Sequence, residues 1–342
     1  MSLSINVLSA GVCVVAVAAW VRWRRSVTPV LPRDLSDRVK SRFVRLSDGS
    51  TVHCFVGGPA SGVAAKANVL FVHGFGCNSL EFAPCLVAMS AHNNVIAPDR
   101  VLFCPPDRDR THDCEGITAE LRDLLAQLGV DASLPLILCG HSYGGLLCSH
   151  FAAAAGVRVS GLVLVDPAHE DQFKLCPRDF RVAFAMTPVV FAMLRFTSFL
   201  GLPRALRGFL PFPPLNLYPL AERELAQCAY TDVDGSVWRR VADELSGCTK
   251  GMEQMRALRV ASPLPKTTPV TVLVASARGP SPTFFPERLT AMFTQLASSV
   301  AQPPNAVVLA PRSNHWIHVE QPELVIDALE TMVSQLQQQE QQ

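Results

Sequence analysis

Short apolar runs alternate with helix-like segments along most of the chain. The runs lie at 68–72, 94–97, 136–139, 161–165, 269–275 and 305–309, with two shorter alternating runs at 43–46 and 51–56. Largely apolar runs of this length are typical of parallel strands covered on both faces. Asp48 and Gly49 between the two shorter runs predict an antiparallel hairpin. The pattern therefore predicts an α/β fold with a mostly parallel central sheet and helices on both faces.

The alternation stops between residues 170 and 262, where Phe, Leu, Pro and Arg are frequent. Helical spacing with prolines between the pieces predicts several short helices, inserted as a cap between the strand ending near Val165 and the strand starting near Pro269. Its aromatic side chains either bury against the main domain or face a pocket. The predicted organisation is a core in two parts, 42–169 and 263–335, a helical cap at 170–262, and a Gln-rich, low-complexity tail at 336–342. A further helix is predicted at 286–296.

The N-terminus contains an uncharged run at residues 5–21, followed at once by Arg22, Arg24 and Arg25. As a helix this run spans about 25 Å, near the lower limit for crossing a bilayer. Basic residues on its C-terminal side favour a single-pass membrane anchor at 1–25, with the rest of the chain in the cytosol. A cleaved signal peptide, which normally has a basic segment before the apolar run, is the main alternative. A second alternative is that this run forms a helix buried in the globular domain. Residues 26–41 are interpreted as a linker.

Composition narrows the classes of function. A net charge of +1 with 49% hydrophobic and 17% charged residues indicates a packed globular protein, without the basic field that nucleic-acid binding requires. Eleven cysteines are scattered singly, with no Cys-x-x-Cys pair, which favours free thiols in a reducing compartment. The nine histidines form no His-Glu-x-x-His motif, so the sequence predicts neither a metal nor a cofactor. The oligomeric state is not predicted.

The strongest chemical signal is the sequence GHSYGG at 140–145, between the run at 136–139 and a small-residue helix at 144–155. In a Gly-x-Ser-x-Gly turn the serine joins a strand to a helix in a strained conformation. Such a turn closes only if the residues two before and two after the serine are small. Ser142 is therefore the predicted nucleophile, with its hydroxyl above the sheet at a helix N-terminus.

A second signal is the turn HGFG at 73–76, directly after the first parallel strand. A turn of this kind directs backbone N–H groups into the site, where they can bind a developing negative charge. The N–H groups of Phe75 and Tyr143 are the predicted oxyanion hole, and that of Gly76 is the next candidate.

The predicted general base is His315, on the loop after the last strand. His318 is the alternative, interpreted as packing or hydrogen-bonding below His315. A base of this kind needs a carboxylate partner, yet the loop after the run at 269–275 contains no acid before Glu287. Asp166 ends the strand at 161–165, on the edge where α/β sheets carry their sites. Asp166 is therefore the favoured acid and Glu287 the alternative, while a purely structural role for Asp166 also stays open.

Together these motifs resemble the α/β-hydrolase superfamily from about residue 42 to residue 333. The segments HGFG (73–76), GHSYGG (140–145), GLVLVDPAH (161–169) and HWIHVEQPE (315–323) appear in the family's order. The resemblance implies that Ser142 is the nucleophile, His315 the base, and Phe75 with Tyr143 the oxyanion donors. Asp166 matches a variant of the family that places the acid one strand early, as in some lipases and the haloalkane dehalogenases.

The predicted function is hydrolysis of an ester, thioester or amide through an acyl-enzyme. An apolar cap and a membrane anchor favour a small-molecule substrate that is an apolar ester. Acyl transfer to an alcohol other than water is one alternative. A catalytically inactive binding protein is another, although such chains usually lose the serine or the histidine. An epoxide hydrolase or dehalogenase would have Asp where this chain has Ser142.

Overall fold

The computed structural model describes residues 33–101, 111–154, 156, 158–176, 178–199, 202, 235–261, 268–276 and 306–340. The predicted anchor at 1–25, the first part of the predicted linker, the helix predicted at 286–296 and the alternative acid Glu287 lie outside these residues. Within the described ranges, no helix is both long enough and apolar enough to cross a membrane.

Eight strands form one sheet in the order β1-β2-β4-β3-β5-β6-β7-β8. Their bounds are β1 (Val39–Arg45), β2 (Thr51–Gly57), β3 (Asn68–Val72), β4 (Asn94–Pro98), β5 (Leu136–His141), β6 (Gly161–Val165), β7 (Val270–Ala275) and β8 (Ala306–Ala310). The pairs β1–β2 and β2–β4 are antiparallel. The remaining five pairs are parallel. The predicted hairpin and the mostly parallel sheet are confirmed.

The central strands β3, β5 and β6 are buried along their whole length. Successive side chains of a strand point to opposite faces, so each strand contributes to two cores. In β3, Leu70 and Val72 belong to one apolar cluster, while Val69 and Phe71 belong to the other. This two-sided burial explains why the strands are continuous apolar runs in the sequence.

Helices cover both faces of the sheet, as predicted. A 3-10 turn at Ser79–Phe82 leads into α1 (Ala83–Met89), and it is followed by α2 (Cys114–Gln127) and α3 (Tyr143–Ala153). The chain ends with α7 (Ile317–Glu320) and α8 (Pro322–Glu340). Apolar residues of α2 and α3 join one core, and those of α1 and α8 join the other.

Three described helices lie between β6 and β7, in the segment predicted as a helical cap: α4 (Gln172–Leu175), α5 (Arg178–Phe199) and α6 (Gly235–Ala261). Helix α6 packs against α2, α3 and α5. The prolines led us to expect short helices, but Pro188 lies inside the long helix α5. Ring contacts of Phe184 with Phe173 and of Phe191 with Trp238 hold α5 on both sides of Pro188. This packing offsets the lost backbone hydrogen bond.

Two element boundaries differ from the sequence prediction. Strand β1 begins at Val39, inside the predicted linker at 26–41, because Val39 is fully buried and pairs with Gly57. Helix α8 continues through most of the predicted Gln-rich tail to Glu340. Burial of Met332, Val333 and Leu336 against the sheet explains why this end of the chain stays helical.

Candidate active site

Ser142 joins β5 to α3 with φ 51° and ψ −120°, a conformation that non-glycine residues rarely adopt. Its backbone is held from the neighbouring strand β6. The Ser142 N–H donates to the carbonyl of Val165 at 3.1 Å, and its carbonyl accepts from the N–H of Ala168 at 2.7 Å. These bonds fix the strained turn beside the carboxyl end of β6, where Asp166 lies.

Three glycines allow this turn to close. A Cβ atom on Gly140 would lie 2.5 Å from the carbonyl oxygen of Gly144, and one on Gly144 would lie 2.0 Å from that of Val72. A Cβ on Gly145 would lie 2.5 Å from the Cβ of Pro167. Side chains at these positions would therefore push α3 away from β3 and from the loop after β6.

His315 and Asp166 form a direct hydrogen bond, with 2.6 Å between His315 Nδ1 and Asp166 Oδ2. The other carboxylate oxygen, Oδ1, accepts the backbone N–H of Ala275 at 3.1 Å. A carboxylate can only accept, so Nδ1 of His315 carries the proton, and in the neutral ring Nε2 is the basic nitrogen. The His315 side chain is 32% exposed, whereas that of Asp166 is 4% exposed.

Ser142 Oγ and His315 Nε2 both lie in the described part of the chain, and no hydrogen bond joins them. Such bonds are often long without substrate and tighten when it binds. His318, the alternative base, is fully buried beneath the site, with its ring 4.2 Å from that of His141. The histidine bonded to Asp166 is His315.

The oxyanion candidates occupy the turn after β3 and the first turn of α3. Among the described residues, neither the N–H of Phe75 nor that of Tyr143 has a hydrogen-bond acceptor. The N–H of Gly76, the next candidate, donates to Glu244 Oε2 at 2.9 Å. Of the three candidate amides, those of Phe75 and Tyr143 therefore have no acceptor among the described residues, and that of Gly76 has one.

Sequence reasoning missed two buried residues that connect the loops of the site. Glu81 Oε1 accepts the N–H of Gly74 at 2.9 Å and lies 3.1 Å from His141 Nδ1. His141 Nε2 donates to the backbone carbonyl of His315 at 3.0 Å. The one signal in the sequence was the single carboxylate at 81 within the otherwise uncharged stretch 75–98.

A buried ion pair was also missed. Arg100 Nε lies 2.7 Å from Glu244 Oε1, and both side chains are almost completely removed from water. Arg100 lies two residues after the end of β4, so its position at the carboxyl edge of the sheet was visible in the sequence. Its partner was not, because Glu244 lies 144 residues further along the chain, in α6.

Glu81, His141 and His318 are the described residues best placed to hold a metal ion, since one ligand atom of each lies within 4.8 Å of the others. All three are buried. A metal there would compete with the bonds that Glu81 and His141 already make. Burial lowers the pKa of His141 to about 3, because the charged imidazolium is disfavoured away from water, and the nearby Glu81 carboxylate opposes this only partly.

The sequence profile described as the alpha/beta hydrolase family matches residues 69–328. No curated protein sequence matches the chain significantly.

Among solved structures, the chain is similar to the epoxide hydrolase CorEH, with a TM-score of 0.61 at 17% identity, over 87% of this chain and 99% of that one. A thermophilic esterase from Thermogutta terrifontis gives a TM-score of 0.58 at 20% identity, over 87% of this chain and 99% of the esterase. The Cif epoxide hydrolase from Acinetobacter nosocomialis gives a TM-score of 0.65 at 15% identity, over 87% of this chain and 90% of the epoxide hydrolase. At these identities the likeness establishes the fold alone.

We predict that the free energy of unfolding falls as the pH is lowered from about 6.5 towards 3, in part because of His141. The folded-state pKa of His141 is about 3, below its ordinary value of 6.5. Between these values the unfolded chain binds a proton that the folded chain does not, so this contribution is complete above pH 6.5 and is lost as the pH falls through 3. One such group adds at most about 1.4 kcal/mol per pH unit. Urea unfolding between pH 7 and pH 4.5 measures the slope.

In this experiment His141→Gln should flatten the dependence of stability on pH, and His92→Gln, at an exposed histidine, should leave it unchanged. Equal slopes for wild type and His141→Gln would contradict the prediction.

Proposed function

We propose that this chain, which belongs to the alpha/beta hydrolase family, is a serine hydrolase that cleaves a carboxylic ester, or a thioester or amide, through an acyl-enzyme. The observation that supports this best is the bond between His315 and Asp166, next to the strained turn of Ser142. A nucleophile, a base and a group that orients the base are the three parts that acyl transfer by serine requires.

In the proposed reaction, Ser142 Oγ attacks the carbonyl carbon of the substrate while His315 Nε2 takes the hydroxyl proton. Asp166 keeps the proton on Nδ1 and stabilises the imidazolium that forms. The N–H groups of Phe75 and Tyr143 bind the negative oxygen of the tetrahedral intermediate. His315 then gives its proton to the leaving group. In the second half, a water molecule deprotonated by His315 attacks the acyl-enzyme and releases the acid.

We propose that the acyl group of the substrate is apolar. The surroundings of Phe75 support this. A separate apolar cluster contains Val101, Val237, Trp238 and Val241, with Phe75, Phe191 and Leu194 packed against it. The Phe75 and Phe191 rings are 6.2 Å apart, and those of Phe191 and Trp238 are 6.1 Å apart. An apolar wall formed by α5 and α6 therefore begins at the residue that supplies an oxyanion donor.

We further propose that residues 1–25 anchor the protein in a membrane, with the hydrolase domain in the cytosol. The support is the sequence alone, an uncharged run at 5–21 with basic residues only on its C-terminal side.

For the proposed nucleophile and acid, we expect a fluorophosphonate probe to label wild-type protein at Ser142 and to leave Ser142→Ala unlabelled. With a p-nitrophenyl ester, Asp166→Asn should lower kcat by about 10⁴, because the base loses the partner that fixes its tautomer. Glu287→Gln serves as the matched control and should keep kcat within about twofold. Near-normal turnover by Asp166→Asn together with loss of activity in Glu287→Gln would show that the acid is Glu287.

For the substrate class, we expect kcat/KM to rise from acetyl to octanoyl p-nitrophenyl esters. Each buried CH₂ is worth about 0.8 kcal/mol, so the rise should reach up to about fourfold per CH₂. Phe191→Ala should flatten this series because it removes part of the apolar wall. Phe196→Ala, at an exposed phenylalanine of the same helix, should leave it unchanged. A preference for short, polar acyl groups would count against an apolar substrate.

For the anchor, we expect the full-length protein to sediment with membranes and to resist carbonate extraction. The double variant Val12→Asp, Val15→Asp should appear in the soluble fraction, since each acid at the centre of a spanning helix costs about 3 kcal/mol. The control Val27→Asp, Thr28→Asp lies outside the apolar run and should stay in the membrane fraction. Recovery of a wild-type chain that lacks its N-terminal segment would indicate a cleaved signal peptide instead.

A further inference from the structure

We propose that Arg100 and Glu244 are positioning residues of the oxyanion hole, so that helix α6 of the inserted segment fixes the orientation of the Phe75 N–H group. This inference rests on the proposed function, because it concerns how the same hole is held in place.

Arg100 holds the two residues that precede Phe75. Its Nη1 donates to the carbonyl of His73 at 2.7 Å, and its Nη2 donates to the carbonyl of Gly74 at 2.7 Å. Its backbone N–H also donates to His73 Nε2 at 3.1 Å. One buried arginine thus makes three hydrogen bonds to the turn between β3 and the 3-10 helix.

The bond to the Gly74 carbonyl decides where the Phe75 N–H points. These two groups belong to one peptide unit, and in a trans peptide they point in opposite directions. The Gly74 carbonyl is held by Arg100 and also accepts from His73 Nδ1 at 2.8 Å. A Cβ on Gly74 would lie 3.4 Å from that of Ser142, which places this peptide beside the proposed nucleophile. If the peptide rotated, the Phe75 N–H would no longer point in the direction that these bonds set.

Glu244 completes the arrangement on the other side of Phe75. Its Oε1 binds Arg100 Nε at 2.7 Å, and its Oε2 accepts the N–H of Gly76 at 2.9 Å. The peptide units on both sides of Phe75 are therefore fixed by the same ion pair. Gly76 has φ 64°, a conformation that glycine adopts without strain.

Burial makes this pair sensitive to the loss of either member. The Arg100 and Glu244 side chains are 2% and 0% exposed. Burial alone would lower the pKa of Arg100, but the attraction of Glu244 outweighs it and raises that pKa, so the guanidinium stays charged. Removing one partner leaves an uncompensated charge, whereas replacing both with apolar residues of similar volume is often neutral for stability. The double replacement therefore separates positioning from folding.

The test compares wild type with the double variant Arg100→Met, Glu244→Leu. The matched control is Arg259→Met, Glu170→Leu, which removes another ion pair of α6, made to the loop between β6 and α4 and not to the turn at 73–76. Circular dichroism and thermal unfolding report folding. For each protein kcat and KM are measured with a p-nitrophenyl ester, together with the affinity for an alkyl boronic acid, which forms a tetrahedral adduct with serine.

We expect the Arg100/Glu244 double variant to fold, to keep KM within about threefold, and to lose about 10²-fold in kcat, the usual effect of one lost oxyanion donor. Its affinity for the boronic acid should fall together with kcat, while the control pair changes neither. Glu244→Gln retains an acceptor for the Gly76 N–H and should lose less kcat than Glu244→Leu.

A folded double variant with kcat within threefold of wild type would overturn the inference, as would a rise in KM at unchanged affinity for the boronic acid. If the double variant does not fold, Glu244→Gln decides instead: a loss of kcat at constant KM supports the inference, and wild-type kcat overturns it. Failure of the wild-type protein to react with a fluorophosphonate at Ser142 would contradict the proposed function itself. Normal wild-type labelling combined with an active double variant contradicts only the role of the ion pair.

Discussion

The site depends on a close approach between the start of helix α3 and the ends of three strands. Gly144 allows α3 to begin against the carbonyls of Val72 and His73, and Gly140 and Gly145 remove side chains on either side of the turn. The strain at Ser142 is maintained because its backbone also bonds to Val165 and Ala168. Every other functional group is placed relative to this turn, since β3, β5 and β6 all end beside it.

Two groups of residues build the site, and they differ in their place in the fold. One group contains the residues proposed to react, and the other contains the buried residues that hold them in position. Ser142, Asp166, Phe75 and His315 each lie on a loop that follows a strand of the parallel part of the sheet. The groups behind them are fully or nearly fully buried, and some of their bonds join distant parts of the chain: those of Glu244 to Arg100 and to Gly76 span more than 140 residues. Glu81 reaches the loop of His315 through His141. Buried polar groups of this kind persist only when they are hydrogen-bonded, which links the loops to one another.

This difference explains how much the sequence could predict. Strands such as 68–72 and 161–165 were found at their observed bounds, because a strand covered on both faces must be continuously apolar. Asp166 was found because its distance from a strand end can be read along the chain, and the structure places it against His315. The contact between Glu244 and Gly76 has no counterpart in any local pattern. It depends on how α6 packs against α2 and α3, as do the uninterrupted helix at Pro188 and the burial that keeps α8 helical.

The fold by itself does not decide the reaction, because chains similar to this one at low identity include epoxide hydrolases as well as an esterase. The chemical difference between these enzymes lies in the nucleophilic side chain at the turn after β5, which in this chain is Ser142. In the proposed reaction Ser142 Oγ attacks an acyl carbon, so negative charge develops on the carbonyl oxygen, and that charge requires donors fixed in advance. The protein fixes the peptide of Phe75 with a buried ion pair rather than leaving it to a surface loop. An epoxide hydrolase would have Asp at this turn, so the serine, together with the fixed amide beside it, is what supports the proposed acyl transfer.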